Sequence, residues 1–365
     1  MTPKDSYISQ VRAALWGGET EWPAEWSDVH MRMHAMQGTG ALVYPSVLGL
    51  ETVPPQARMQ MKAVCMQTMQ QQVHLQHVLQ TAWQALEQAG IQAVLMKGAG
   101  LAALYPEPHM RQWGDIDLFV GVEQYHPACA AMRKAFPEAL KFDEELDHYK
   151  HYNLIADGVS IEIHRVSVGW QHPVDERRYA RMEAYGMTKS EELRLNGLTV
   201  RVPEPTFNAL FVMLHSWEHM MTQGASVRQL CDLVLLLHKR VSEIDVPRLK
   251  AWLNALCLTD VWQLYMWIAV KRLGLPETEA PCFTDTCAER AEHLLNDLLE
   301  GRLSEPKHTA EMPKGRIARK WHTMQERLAN AKRIGQYSPA YARHMRTTTL
   351  LHGAMRFFAK DRKWE

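Results

Sequence analysis

Two carboxylates stand one residue apart in Gly114-Asp115-Ile116-Asp117-Leu118-Phe119-Val120, at the mouth of an apolar run. Side chains alternate faces along a strand, so Asp115 and Asp117 project together while Ile116 and Leu118 point into a core. Adjacent carboxylates repel, and both stay ionised at little cost only with a cation between them. The pair asks for a divalent metal, Mg²⁺ or Mn²⁺, bound by oxygen together with substrate phosphates. Taken alone, Asp-x-Asp also describes an exposed strand start with two solvated side chains.

The neighbouring residues favour the metal. Upstream, Ile91 to Met96 reads as a short strand ending in Lys97-Gly98-Ala99-Gly100, with a short helix from Leu101 to Leu104. Glycines let backbone amides approach a phosphate, and a following helix start favours anions. Lys97 would add a point charge to the same phosphates. Arg111, between this turn and the acidic pair, has a guanidinium suited to bidentate phosphate contact, or to a structural ion pair with one of the carboxylates.

A third carboxylate follows. His151 to Ile155, then Asp157-Gly158, then Val159 to His164 has the form of a hairpin, because Asp-Gly between two β-rich runs is a strong turn signal. Val159, Ile161 and Ile163 share one face of its second strand; Ser160, Glu162 and His164 share the other. If that strand lies beside the one bearing Asp115 and Asp117, Glu162 completes a cluster able to hold two metals about 4 Å apart for in-line attack on a phosphate. His164 would then bond a metal-bound carboxylate or touch substrate, or serve structure alone.

Lys97-Gly98, Tyr105-Pro106, Arg111, Gly114-Asp115-Ile116-Asp117 and Glu162-Ile163-His164 together resemble the nucleotidyltransferase superfamily that includes DNA polymerase beta. More narrowly they resemble its uncharacterised bacterial NTP-transferase-5 type. His215, His219 and Arg228-Gln229-Leu230-Cys231-Asp232-Leu233 match that family's C-terminal signature, so the resemblance spans roughly residues 60 to 240. It implies Asp115, Asp117 and Glu162 as metal ligands and catalytic groups. Lys97, the amides of Gly98, Ala99 and Gly100, and Arg111 would bind the nucleotide. Where the superfamily carries Gly-Ser or Gly-Gly at the turn, this chain has Gly98-Ala99 and so lacks a phosphate-binding hydroxyl.

Composition bounds the partners. The chain has 365 residues, enough for two domains, with 41 Lys plus Arg against 41 Asp plus Glu. That balance argues against an extended nucleic-acid surface. No apolar run reaches membrane-spanning length, and the opening residues do not start a signal peptide, so a cytoplasmic protein is expected. The 6 cysteines form no Cys-x-x-Cys pair, which points to reduced thiols; the 21 methionines read as adaptable core packing.

The expected fold is α/β (α+β): a helical N-terminal region over 1–90, a small mixed-sheet catalytic core over 91–202 and a helical C-terminal lobe over 203–365. Gln56 to Ala89 lacks Pro and Gly and reads as one long helix with a solvated Gln-rich face. Asn196-Gly197 marks a second hairpin, Thr206 is placed to cap a helix, and breaks fall near Val246-Pro247, Gly274-Leu275-Pro276 and Ser304-Glu305-Pro306. His215 and His219 share a helix face, where they would bind zinc, pack against a helix or line the cleft; Arg228 and Asp232 are spaced to pair with each other or to face the cleft. Arg343, Arg346, Arg356, Lys360, Arg362 and Lys363 read as a solvated basic face, or as a docking surface for an acidic partner.

The resulting expectation is transfer of a nucleoside monophosphate from an NTP to an acceptor hydroxyl or phosphate. The alternatives are a catalytically silent nucleotide-binding or scaffold module, and a toxin-like nucleotidyltransferase acting on RNA or protein.

Overall fold

The computed structural model describes residues 2–142, 146, 148–170, 172–222, 224–304 and 315–358. Three helices, α1 (Pro3–Trp16), α2 (Ser27–Gln37) and α3 (Gly40–Val47), lead into α4 (Pro55–Gln88), the uninterrupted helix expected from its composition. Along α4 the buried positions Met61, Cys65, Thr68, Gln72, Leu75, Leu79, Ala82 and Leu86 alternate four and three apart. That spacing keeps one seam on the protein body. The Gln-rich stretch between them is mostly exposed, as expected.

The main sheet follows from alternation and turn chemistry. Strand β1 (Val94–Leu95) precedes the short helix α5 (Ala99–Ala102), and β2 (Asp115–Phe119) precedes α6 (Gly121–Ala135). Then come β3 (Leu140–Lys141), β4 (His151–Ala156) and β5 (Val159–His164). The order is β1-β2-β5-β4-β3, with β2 and β5 parallel and the other neighbours antiparallel. Asp157 and Gly158 both take positive φ, 50° and 78°, as a two-residue hairpin turn between β4 and β5 requires. Ile116, Leu118, Ile161 and Ile163 are buried beneath the sheet with Leu79, Tyr125 and Met132.

Helix α7 (Pro173–Thr188) leads to a separate hairpin, β6 (Glu191–Leu195) and β7 (Leu198–Val202), turned at Asn196-Gly197. The remaining helices are α8 (Pro205–Thr222), α9 (Val227–Arg240), α10 (Val246–Ala255), α11 (Thr259–Trp267), α12 (Ala288–Leu299), α13 (Arg316–Ile334) and α14 (Pro339–Phe358). The α8 start corrects one expectation: Glu204, not Thr206, caps it, accepting from the Phe207 amide at 2.8 Å and from the Thr206 hydroxyl at 2.7 Å. Pro205 occupies the first turn, which puts the cap two positions upstream of Thr206. Val246-Pro247 opens α10 and Gly274 lies beyond α11, as the breaks implied; Glu305 and Pro306 lie outside the described residues.

Helices α1 to α3 share one hydrophobic core with α8 to α12, through Tyr7, Val11, Leu230 and Leu294. Gln37 ties the two sets together, donating to the Leu298 carbonyl and accepting from the Val227 amide. No helix among the described residues is long and apolar enough to cross a membrane. All six cysteines are free thiols.

Candidate active site

The parallel register sets Asp117 directly opposite Glu162, with Asp115 opposite Ser160 and Phe119 opposite His164. Directly opposed residues share a sheet face, so Asp115, Asp117, Glu162 and His164 project together. The antiparallel register on the other side of β5 adds His151 opposite His164 and Asn153 opposite Glu162.

Lys97 reaches this face from the end of β1. Its Nζ lies 3.0 Å from Asp117 Oδ1 and 3.7 Å from Asp115 Oδ2. Burial opposes its charge, but Asp117, Asp115 and Glu162 outweigh that and hold the ammonium above its ordinary pKa. Asp117 is fully buried. Burial would raise its pKa; Lys97 and His164 overcome that and hold the carboxyl below its usual range. Its second oxygen, Oδ2, is buried with no hydrogen-bond partner. An ionised buried oxygen without a partner is costly, and a divalent cation held with Asp115 and Glu162 is the natural complement. The donor set therefore fits the metal that the sequence implies.

Gly98 turns the chain at φ 58° and ψ −117°, a region closed to other residues. A Cβ there would also lie 3.0 Å from the Trp113 ring. The Gly100 amide is taken by the Lys97 carbonyl at 3.1 Å, so it is not presented to a ligand as expected. At Gly100 a Cβ would press on the Val202 side chain at 3.3 Å, so the second glycine packs tightly against β7.

Arg111 is a second correction. Its guanidinium is buried and bidentate to Asp232, Nε to Oδ1 and Nη2 to Oδ2, both at 2.7 Å. Its remaining nitrogen, Nη1, donates to the Gly98 and Gln112 carbonyls. These bonds engage all three nitrogens, so Arg111 braces the glycine turn instead of facing phosphate. Asp232 also accepts from the Tyr105 hydroxyl at 2.7 Å, and Arg111 outweighs burial in keeping its carboxyl ionised. The expected Arg228–Asp232 pair does not form. Arg228 Nη1 donates instead to the Gln112 carbonyl.

His164 Nε2 sits 3.0 Å from Asp117 Oδ1 and 3.1 Å from Glu162 Oε2. Those carboxylates overcome burial and raise its pKa, while His164, against burial, lowers that of Glu162 to about 2. His215 faces Lys97, with its Nε2 accepting from the ammonium at 3.3 Å, and its ring packs 4.3 Å from that of His219. Burial and the Lys97 charge keep both histidines neutral by lowering their pKa values. Thus α8 meets the acidic face at Lys97 through His215. Arg343 and Arg346 are exposed on α14; the Arg356 side chain and Lys360, Arg362 and Lys363 lie outside the described residues.

Sequence reasoning passed over His151, although counting outward from Asp157-Gly158 places it opposite His164. It also passed over Lys150, which reaches Glu218 on α8 at 3.4 Å. Glu218 in turn lines a cavity of about 140 Å³ with Trp170, Asp175, Trp217 and His344. No local pattern announces that contact between distant segments.

No curated protein and no solved structure matches the chain. The model of a family described as an uncharacterised nucleotidyltransferase matches residues 23–274, which include α2 to α11 and both sheets. The main sheet and its acidic face lie within that match, and the chain belongs to this nucleotidyltransferase family.

Proposed function

We propose that this protein transfers a nucleoside monophosphate from an NTP to an acceptor hydroxyl or phosphate, with release of pyrophosphate. The observation that carries this reading is the shared face of Asp115, Asp117 and Glu162, with a buried oxygen of Asp117 left unpartnered. Asp115 and Asp117 would hold the metals jointly and Glu162 would hold the second, with Mg²⁺ or Mn²⁺ as the ion. When bound, such ions neutralise the triphosphate and raise the acidity of an attacking hydroxyl.

The chain's own groups do the rest. Lys97 is a fixed cation at the acidic face, and its charge favours the negative charge that builds on the leaving pyrophosphate. Arg111 and Asp232 hold the Gly98 turn, so that Lys97 is presented from a rigid support. His215, neutral and bonded to Lys97, orients the ammonium from above. The acceptor would lie on the side of α8 bearing Glu218, where Trp170 and the buried Trp217 line a cavity with Asp175 and His344. A small acceptor agrees with the absence of charge imbalance in the composition.

The test is a screen of each NTP with Mg²⁺ and a metabolite extract, read as pyrophosphate. Release that requires both the extract and one NTP supports the reading. Release of inorganic phosphate alone would point to hydrolysis and against transfer.

A further inference from the structure

We propose that His151, Glu162 and His164 form a nitrogen-bearing metal site that prefers a divalent transition metal to Mg²⁺. The inference does not depend on nucleotidyl transfer, because it concerns binding in the absence of nucleotide. One ligand atom from each residue lies within 4.8 Å of the others. Glu162 Oε2 is 3.1 Å from His164 Nε2 and 3.8 Å from His151 Nδ1. Ligands held at about 2.1 Å around one ion stand roughly 3 Å apart, so a small inward shift of His151 closes the set.

Three further features make this a built site. His151 Nδ1 has no hydrogen-bond partner, although it faces a carboxylate. The other nitrogen of His164, Nδ1, lies 3.3 Å from the Val166 carbonyl. An N–H donated there would leave Nε2, which now faces Asp117 and Glu162, as the nitrogen that ligates once an ion takes the place of its proton, the usual support of a metal-bound imidazole. Finally, the buried and unpartnered Asp117 Oδ2 belongs to the carboxylate whose other oxygen touches His164. The His151 side chain is a quarter exposed, which leaves a route for the ion.

Ligand chemistry then sets the preference. Mg²⁺ favours oxygen and dehydrates reluctantly, whereas two imidazoles and a carboxylate suit manganese, iron, cobalt or zinc. The neighbouring Asp115–Asp117 position, all oxygen, has no such bias. The acidic face thus offers two unlike positions, one hard and one borderline.

The competing account is that His164 only donates a proton to Asp117 and Glu162 and that no ion binds among the histidines. Chelator-treated full-length protein, without nucleotide, separates the two. Mn²⁺, Zn²⁺ and Mg²⁺ are titrated separately by calorimetry, and the Mn²⁺ form is examined by pulsed EPR for nitrogen coupling. The proposal expects Zn²⁺ and Mn²⁺ to bind at least about tenfold tighter than Mg²⁺, with couplings from two imidazoles. His151→Gln should remove one coupling and weaken Zn²⁺ at least about tenfold. His219→Gln should leave both couplings, which excludes the histidine pair on α8. A melt checks that His151→Gln folds, with His151→Asn as the second variant, and the wild-type couplings stand without either. Absence of nitrogen coupling, equal affinity for the three ions, or couplings unchanged by His151→Gln would overturn the site.

Discussion

Lys97 has two roles that metal and nucleotide separate. As a counter-ion it offsets repulsion between Asp115 and Asp117, and its 3.0 Å contact with Asp117 is the metal-free form of that role. As a phosphate ligand it matters only when nucleotide is present. We expect Lys97→Ala to weaken NTP binding in the metal-loaded protein while lowering the apo melting temperature less. Calorimetric melts with and without Mg²⁺ and NTP check this; a large apo destabilisation with unchanged nucleotide affinity would contradict it. Asp232 provides a second test at this scale. Asp232→Ala leaves the buried Arg111 charge unpaired, which should cost about 3–5 kcal/mol of stability. A denaturant titration reads this, and a change near zero would mean that Arg111 is free to serve a ligand. The Arg111–Asp232 contact joins residues 121 positions apart, so local spacing favoured the wrong partner, Arg228.

The elements differ in how much of them the sequence discloses. The β4–β5 hairpin was legible from Asp157-Gly158 and strict alternation, and α4 from its composition. Neither feature shows that β5 lies beside β2 in parallel, since that pairing closes a long loop through α6 and β3. The α1–α3 knot was legible only as helix. Within it, His34 donates from Nε2 to Gln10 Oε1 at 2.8 Å, and its Nδ1 accepts from the Thr39 hydroxyl at 2.9 Å. Burial, with His30 nearby, lowers the His34 pKa to about 3. The folded state therefore keeps it neutral while the unfolded chain protonates below its ordinary value of 6.5. This contribution is present above that value and is lost as pH falls toward the folded pKa. Between about pH 7 and about pH 5 the loss from this one group is about 2 kcal/mol. Urea titrations of wild type and His34→Gln at both pH values check it. The variant should show a shallower decline; an equal decline would mean that other groups set the acid sensitivity.

At the scale of the whole molecule, the sheet supplies the acidic face and the helices on either side of it in sequence fuse into one core above it. We propose residues 91–202 as the catalytic core, with α8 and α9 from the C-terminal part completing the cleft through His215, Arg228 and Asp232. Gln37 and the Asp5–Arg272 ion pair bind the N-terminal helices to that same part. The family match crosses all three regions. The central claim rests on Asp117, whose substitution by Asn removes charge but little volume. The most direct measurement is transfer of α-phosphate label from the preferred NTP into product, by wild type and by folded Asp117→Asn, at saturating metal. The account predicts labelled product from wild type and a loss of about a hundredfold or more in the variant. Transfer by Asp117→Asn at the wild-type rate would contradict it.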